Sequence, residues 1–194
     1  MPPAEILTNG EVTNGVKVTN GISTPDLDVN TIIEVRRSPK EFASFAQSLI
    51  DLPAGALFAH ITTATPAKKA YSSVQTGPNT HIELNSNLVY CNHSCDPSLI
   101  FDMATMEVRV VEGRDLKVGD VLTFFYPSSE WSMAQPFECG CGAGSGKCLG
   151  QISGAKDMDE RVLRGYWLNR HIEKMLEERA SGKGGQIKGA KEGK

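Results

Sequence analysis

Cys139-Gly140-Cys141 and then Cys148 put three thiols on a glycine-rich stretch that has almost no apolar side chains with which to order itself. A segment of that kind takes a fixed shape only when something other than a hydrophobic core holds it. All five cysteines of the chain lie between Cys91 and Cys148. The start Met1-Pro2-Pro3-Ala4-Glu5 has neither a basic segment nor an apolar run, so the reading is an intracellular protein, nuclear or cytoplasmic, whose thiols stay reduced. Clustered thiols in a reducing compartment point to a metal, and zinc favours a closed tetrahedral shell of four thiolates. The fourth ligand is Cys91 or Cys95, both in Tyr90-Cys91-Asn92-His93-Ser94-Cys95-Asp96-Pro97.

The 194 residues, 40% apolar and 22% charged, suffice for one globular domain. A net charge of -3 gives no broad cationic field, so nucleic acid is not expected as a direct partner, and no stretch is long and apolar enough for a membrane. Asn92-His93-Ser94 matches a glycosylation acceptor, which has no use inside a cell.

Thr-Asn-Gly recurs at Thr8, Thr13 and Thr19 with weak apolar flanks, and the chain beyond Ser181 is rich in glycine and lysine. The expected organisation is therefore a disordered tail over 1–29, a domain over 30–152, a helix over 153–181 and a disordered basic tail over 182–194. Ser38-Pro39-Lys40-Glu41 reads as a helix start, with Phe42, Phe45, Ala46, Leu49 and Ile50 on one face and Pro53 as the stop. Short apolar runs at 57–61, 88–91, 99–101, 107–111 and 121–126 read as small strands. Asp157 and Glu160 cap a last helix with Val162, Leu163, Tyr166, Trp167, Ile172, Met175 and Leu176 on its buried face.

Asn92-His93-Ser94-Cys95-Asp96-Pro97 resembles the Asn-His-Ser-Cys-x-Pro signature of SET-domain methyltransferases. The cysteine loop with Cys148-Leu149-Gly150-Gln151-Ile152 resembles their post-SET segment. The run from Arg114-Asp115-Leu116 through Gly119-Asp120-Val121-Leu122-Thr123-Phe124-Phe125-Tyr126 is similar to the stretch leading to the family's active-site tyrosine. Together the motifs span about residues 57–152, in the family's order, which is far more specific than any one alone.

The resemblance implies a mainly β, α+β fold of small curved sheets with a C-terminal pseudoknot, a post-SET zinc loop over 137–152 and a C-terminal helix. It implies S-adenosylmethionine as cofactor and one structural zinc on Cys95, Cys139, Cys141 and Cys148, which leaves Cys91 as a core thiol. By the same resemblance Asn92, His93, Ala54, Gly55, Ala56, Leu149 and Ile152 would bind the cofactor, and Tyr126 would be the catalytic residue. The implied substrate is an amine, first of all a lysine side chain of a protein. The chain departs from the family with Ala54-Gly55-Ala56 where Gly-x-Gly is common, with Phe125 where aspartate is usual, and with Val121, Ser98 and Val89 where polar residues are usual. Six residues separate Cys141 from Cys148, where four are common, and the insert over 65–83 is short. These departures keep two other readings open: a divergent enzyme that uses the pocket on a small metabolite, with or without net methyl transfer, and a zinc-stabilised binding module without catalysis. The sequence does not fix an oligomeric state.

Overall fold

The computed structural model describes residues 27–182. The tails expected at 1–29 and 182–194 lie outside the described residues except for Leu27, Asp28, Val29 and Gly182. Val29 belongs to the body: it opens a single 3-10 turn, Val29–Thr31, and is buried, while the Asp28 carboxylate accepts the Asn30 N–H at 2.9 Å.

The described residues form mainly short strands, with helices gathered at the C-terminal end. In chain order these are β1 (Ile33–Arg36), β2 (Phe45–Ser48), β3 (Leu57–His60), β4 (Thr65–Ala67), β5 (Val74–Gly77), β6 (Thr80–Glu83), β7 (Asn92–His93), β8 (Leu99–Asp102), β9 (Glu107–Val110), β10 (Val121–Phe124), β11 (Phe137–Glu138) and β12 (Gln151–Ile152). They make four small sheets, ordered β1-β2-β10-β7, β3-β9-β8, β4-β6-β5 and β11-β12. The β7–β10 pairing is parallel, Thr123 facing Asn92 and Phe124 facing His93, so it joins segments far apart in the chain. Tyr126 follows β10 directly and lies beside the Asn92–Cys95 segment as a result.

The helix expected from Ser38 is a strand instead. Ala46 and Ser48 are buried while Phe45 and Gln47 are half-buried, which is a period of two, and Leu49 is 44% exposed. Two neighbours outweigh the local capping signal: β2 pairs with β1 on one edge and with β10 on the other. Phe42 takes a left-handed φ of 57°, a conformation no helix continues through. The run expected as a strand over 88–91 is a 3-10 turn, Asn87–Tyr90, with Leu88 buried beneath it.

Phe124 and Phe125 point to opposite sides, as successive strand-end residues do. Phe124 stacks on Phe101 at 4.1 Å inside the main core, which also holds Phe58, Leu88, Val108, Leu116 and Leu122. Phe125 stacks on Tyr166 at 3.7 Å in a second core with Ala155, Leu163, Ile172 and Leu176. A single-turn helix α1 (Gly144–Lys147) lies in the cysteine loop, and the last helix expected over 153–181 is broken into α2 (Glu160–Leu163) and α3 (Arg170–Ala180). Asp159, not Asp157, caps α2. The break after Gly165 places Asn169 inside the molecule, and Trp167 is 40% exposed. The Asn169 side-chain Oδ1 accepts the Met103 N–H at 2.8 Å, and its Nδ2 donates to the Phe101 and Ser128 carbonyls at 2.9 and 3.1 Å. One side chain thereby locks α3 to β8 and to the turn after Tyr126. Among the described residues no helix is long and apolar enough to cross a membrane.

Candidate active site and metal centre

β11 and β12 pair Phe137 with Ile152 and Glu138 with Gln151, closing the base of the cysteine loop. The Cys139 N–H donates to the Gly150 carbonyl at 2.9 Å within it. Ile152 is fully buried, so it anchors this hairpin and is no surface cover. The sulfurs of Cys95, Cys139, Cys141 and Cys148 lie within 4.8 Å of one another, close enough for a single ion. Cys95 is buried and Cys148 exposed. The Leu149 N–H points at Cys95 Sγ from 3.4 Å, and the Tyr166 hydroxyl donates to the Cys95 carbonyl at 2.9 Å. Cys91 lies in the main core outside this group, and burial pushes its thiol well up.

His93 joins the thiol cluster to the end of β10. Its Nδ1 accepts the Tyr126 N–H at 3.2 Å, so Nδ1 carries no proton. The proton of the neutral ring is then on Nε2, 3.3 Å from Cys95 Sγ, where it serves as a donor to sulfur. Burial holds the ring neutral, with its pKa lowered to about 4. The ring is boxed by Phe125, Tyr126 and Phe137, with centroids 5.4 to 5.7 Å away.

The Tyr126 hydroxyl donates to the Cys91 carbonyl at 3.3 Å. Burial above all, with the negative potential of its acidic neighbours behind it, raises its pKa, so the group is a protonated donor at any physiological pH. The Asn92 amide donates to the Ser44 carbonyl at 2.9 Å, and its Oδ1 has no partner among the described residues. Asn92, His93, Tyr126, Leu149, Ile152 and the four cysteines thus share one neighbourhood.

Ala54, Gly55 and Ala56 do not join it. The turn's hydrogen bonds run to Val110, Val111, Asp115 and Arg109. Gly55 has a left-handed φ of 73°, and a Cβ there would stand 2.8 Å from the Glu112 carboxylate. This glycine serves the entry into β3, and the backbone meeting the Asn92 side chain is that of Ser44.

One polar residue near Tyr126 escaped the sequence reading. Glu130 is buried at 8% exposure; its N–H donates to the Tyr126 carbonyl at 3.0 Å and its Oε1 accepts the Gln75 N–H at 2.7 Å. Burial raises its carboxyl to about 7, against the pull of the Gln75 N–H and of Lys69. The only sign in the sequence was an acid among the small and aromatic residues following Tyr126.

No protein-family model matches the chain. Over 145 residues it is 59% identical to the methyltransferase flvH of Aspergillus flavus, an alignment that takes in 74% of this chain and 80% of that protein. The chain belongs to the family of that methyltransferase. For a methyltransferase the arrangement is economical, since transfer between two bound groups asks for alignment and a dry pocket and needs no protein nucleophile.

Proposed function

We propose that this protein is a SET-type methyltransferase that uses S-adenosylmethionine to methylate an amine, with Tyr126 as the catalytic residue and a structural zinc on Cys95, Cys139, Cys141 and Cys148. The observation that carries the reading is the parallel β7–β10 pairing, which sets Asn92 and His93 against the strand leading to Tyr126. The same segments carry the SET-like motifs, and the kinship to a methyltransferase supports the reaction class.

The thiols fit zinc. Four sulfurs about 2.3 Å from one zinc stand about 3.8 Å apart, the spacing of Cys95 Sγ and Cys139 Sγ. The site also fits the cofactor's polar end, because Asn92 Oδ1 is an acceptor with no partner among the described residues. When bound, S-adenosylmethionine supplies a methyl group on a positively charged sulfur. The chain's own residues keep water out with the Phe125, Phe137 and Tyr126 rings and present the Tyr126 hydroxyl to the amine.

The amine read first is a lysine side chain of a protein. A small-molecule amine is the second reading, favoured by the brevity of β4, β5 and β6, which fold on themselves and leave little chain for a peptide groove. Calorimetric titration of the zinc-loaded protein with S-adenosylmethionine, followed by methyl transfer to protein and to free amines, tests both. Absence of cofactor binding overturns the enzymatic reading and leaves a zinc-stabilised binding module.

A further inference from the structure

The turn that carries Tyr126 is too short to hold its own shape. Tyr126–Ser128 is a single 3-10 turn containing Pro127, and a turn of that length makes too few hydrogen bonds to stay fixed alone. Its surroundings supply the rest, from separate parts of the chain. His93 Nδ1 on β7 takes the Tyr126 N–H at 3.2 Å. At the start of α3, Asn169 Nδ2 and His171 Nε2 donate to the Ser128 and Ser129 carbonyls at 3.1 and 2.8 Å. The Ala155 and Lys156 N–H groups donate to the Glu130 and Trp131 carbonyls at 2.9 and 2.8 Å.

The remaining hold comes from β5, and it is reciprocal. The Gln75 N–H donates to Glu130 Oε1 at 2.7 Å, while Gln75 Oε1 accepts the Trp131 N–H at 2.8 Å. Each side chain thus satisfies a backbone N–H of the opposite segment. Gln75 is 3% exposed and Glu130 8%, so deleting either acceptor leaves a backbone N–H bare inside the protein. Gln75 Nε2 donates to the Gly77 carbonyl at 2.7 Å, so the same amide ties β5 to its own turn into β6. The Glu130 N–H donates to the Tyr126 carbonyl at 3.0 Å, which brings the hold from β5 to Tyr126 in two hydrogen bonds. The Tyr126 hydroxyl makes one contact of its own, to the Cys91 carbonyl at 3.3 Å. Where it points therefore follows from the turn and from the packing of the ring.

Resting on the proposed role of Tyr126, we propose that Gln75 and Glu130 are positioning residues for it, a buried clamp by which the insert over 65–83 sets the direction of the Tyr126 hydroxyl. Both act as hydrogen-bond acceptors. What counts at position 130 is an oxygen facing the Gln75 N–H, and the charge of the carboxylate is dispensable. The short insert thereby has a role other than forming a groove, since its strand β5 holds the catalytic turn. A displacement of about 1 Å in a reacting group costs about 100-fold in rate. A slack clamp therefore lowers kcat while the ground-state contacts of cofactor and amine persist.

The test uses the full zinc-loaded chain, isotopically labelled at the tyrosine ring carbon that bears the hydroxyl, with n-butylamine as the amine probe. Four tyrosines give four NMR signals, and the one lost in Tyr126→Phe belongs to Tyr126. Glu130→Ala and Gln75→Leu each remove one acceptor. In both, the Tyr126 signal should shift or broaden while those of Tyr90 and Tyr166 stay. Turnover should fall about 10-fold to 100-fold in kcat, with KM for n-butylamine and S-adenosylmethionine affinity held within about 2-fold. Glu130→Gln keeps the acceptor and should return both the signal and the rate to near wild type. In wild-type protein, where no folding defect intervenes, the amides of Gln75, Tyr126, Glu130 and Trp131 should exchange hydrogen together as one opening unit. A Tyr126 signal unmoved in both Glu130→Ala and Gln75→Leu overturns the inference. So does a Gln75 amide that exchanges about 100-fold faster than that of Tyr126. Glu130→Gln as impaired as Glu130→Ala overturns it too, because the charge then matters. A raised KM at unchanged kcat overturns it and leaves the proposed function standing. A Tyr126 signal that moves and returns as stated, in protein that transfers no methyl group, upholds the clamp and overturns the proposed function instead.

Discussion

Nδ1 of His93 accepts the backbone N–H of Tyr126 at 3.2 Å. Because the other ring nitrogen faces Cys95 Sγ, one imidazole couples the thiol cluster to the turn that aims Tyr126. Groups that orient a metal ligand in this way typically contribute 10-fold to 100-fold in metal affinity. His93→Phe keeps an aromatic ring in the box but deletes both hydrogen bonds. It should weaken zinc binding by about that factor, as read by competition with a chelator. Unchanged zinc affinity would mean that the Nε2 contact to sulfur carries no weight.

Removing the metal should act locally. The loop over 137–152 has one buried anchor, Ile152, the two-residue pairing of β11 with β12, and beyond these only a few polar contacts such as Lys147 to Asp96 and the Leu149 N–H to Cys95. Purified protein should contain one zinc per chain, and chelation should release hydrogen-exchange protection over 137–152 while β3, β8 and β9 keep theirs. Cys139→Ser should lower the zinc content in the same way. Elemental analysis without zinc in protein prepared free of chelators would refute the metal assignment.

Phe125 stands where the SET family usually has an acid, and the second core explains why this chain has a ring there. Its stack on Tyr166 is within 7° of parallel, and Tyr166 in turn holds the Cys95 carbonyl. Phe125→Asp would put a charge among Leu163, Ile172 and Leu176 and remove the stack, costing on the order of 3–5 kcal/mol. Tyr166→Phe loses only a hydrogen bond, about 1 kcal/mol. Denaturant midpoints for the two variants should separate clearly. Near-equal midpoints would show that this second core is weakly coupled to the fold.

The thiol set was legible because four cysteines of that spacing have few other uses, and the structure gathers those four. Between 57 and 126, β3, β8, β9 and β10 were legible as apolar runs bounded by turn residues, while β4, β5, β6 and β7, short and poor in apolar residues, were not. The segment over 38–50 was misread because Ser38-Pro39 is a real local signal, while the pairing that overrides it comes from β10, over seventy residues away. The placement of Ala54-Gly55-Ala56 was not legible because a small-residue triplet looks alike in any turn; only the fold shows that it faces Glu112 and Asp115. Asn169 and Glu130 carry no motif, and their importance lies wholly in which carbonyls and amides surround them.

Glu130 also gives a pH signature of stability. Its carboxyl is raised in the fold to about 7 from an ordinary 4.5, so the folded chain binds a proton that the unfolded chain has lost. Stability from this group is present below about pH 4.5 and falls as pH rises toward 7, by up to about 3 kcal/mol. Glu130→Gln keeps an acceptor for the Gln75 N–H and removes the titration. The variant should match wild type near pH 5 and be the more stable protein near pH 8, measured by thermal unfolding at both pH values. A variant less stable than wild type at pH 8 would show that the carboxylate is better solvated than its burial implies.

The last prediction bears on the proposed chemistry itself. The Tyr126 ring packs against Phe124, His93 and Phe137, whereas its hydroxyl makes a single contact to the Cys91 carbonyl at 3.3 Å. Tyr126→Phe therefore keeps the packing and gives up one hydrogen bond, about 1 kcal/mol of stability. On the proposed function the hydroxyl acts on the aligned amine in the transition state, so its loss should lower kcat by about 100-fold or more and leave S-adenosylmethionine affinity nearly unchanged. Asn92→Ala should divide its effect the other way. The Asn92 amide steadies Ser44 and offers Oδ1 to the cofactor already in the ground state, so its loss should weaken cofactor binding first, with turnover recovering at saturating cofactor. Calorimetry for affinity and single-turnover rates for chemistry separate the two. Full turnover by Tyr126→Phe on a confirmed substrate would move the catalytic role to another residue of this pocket.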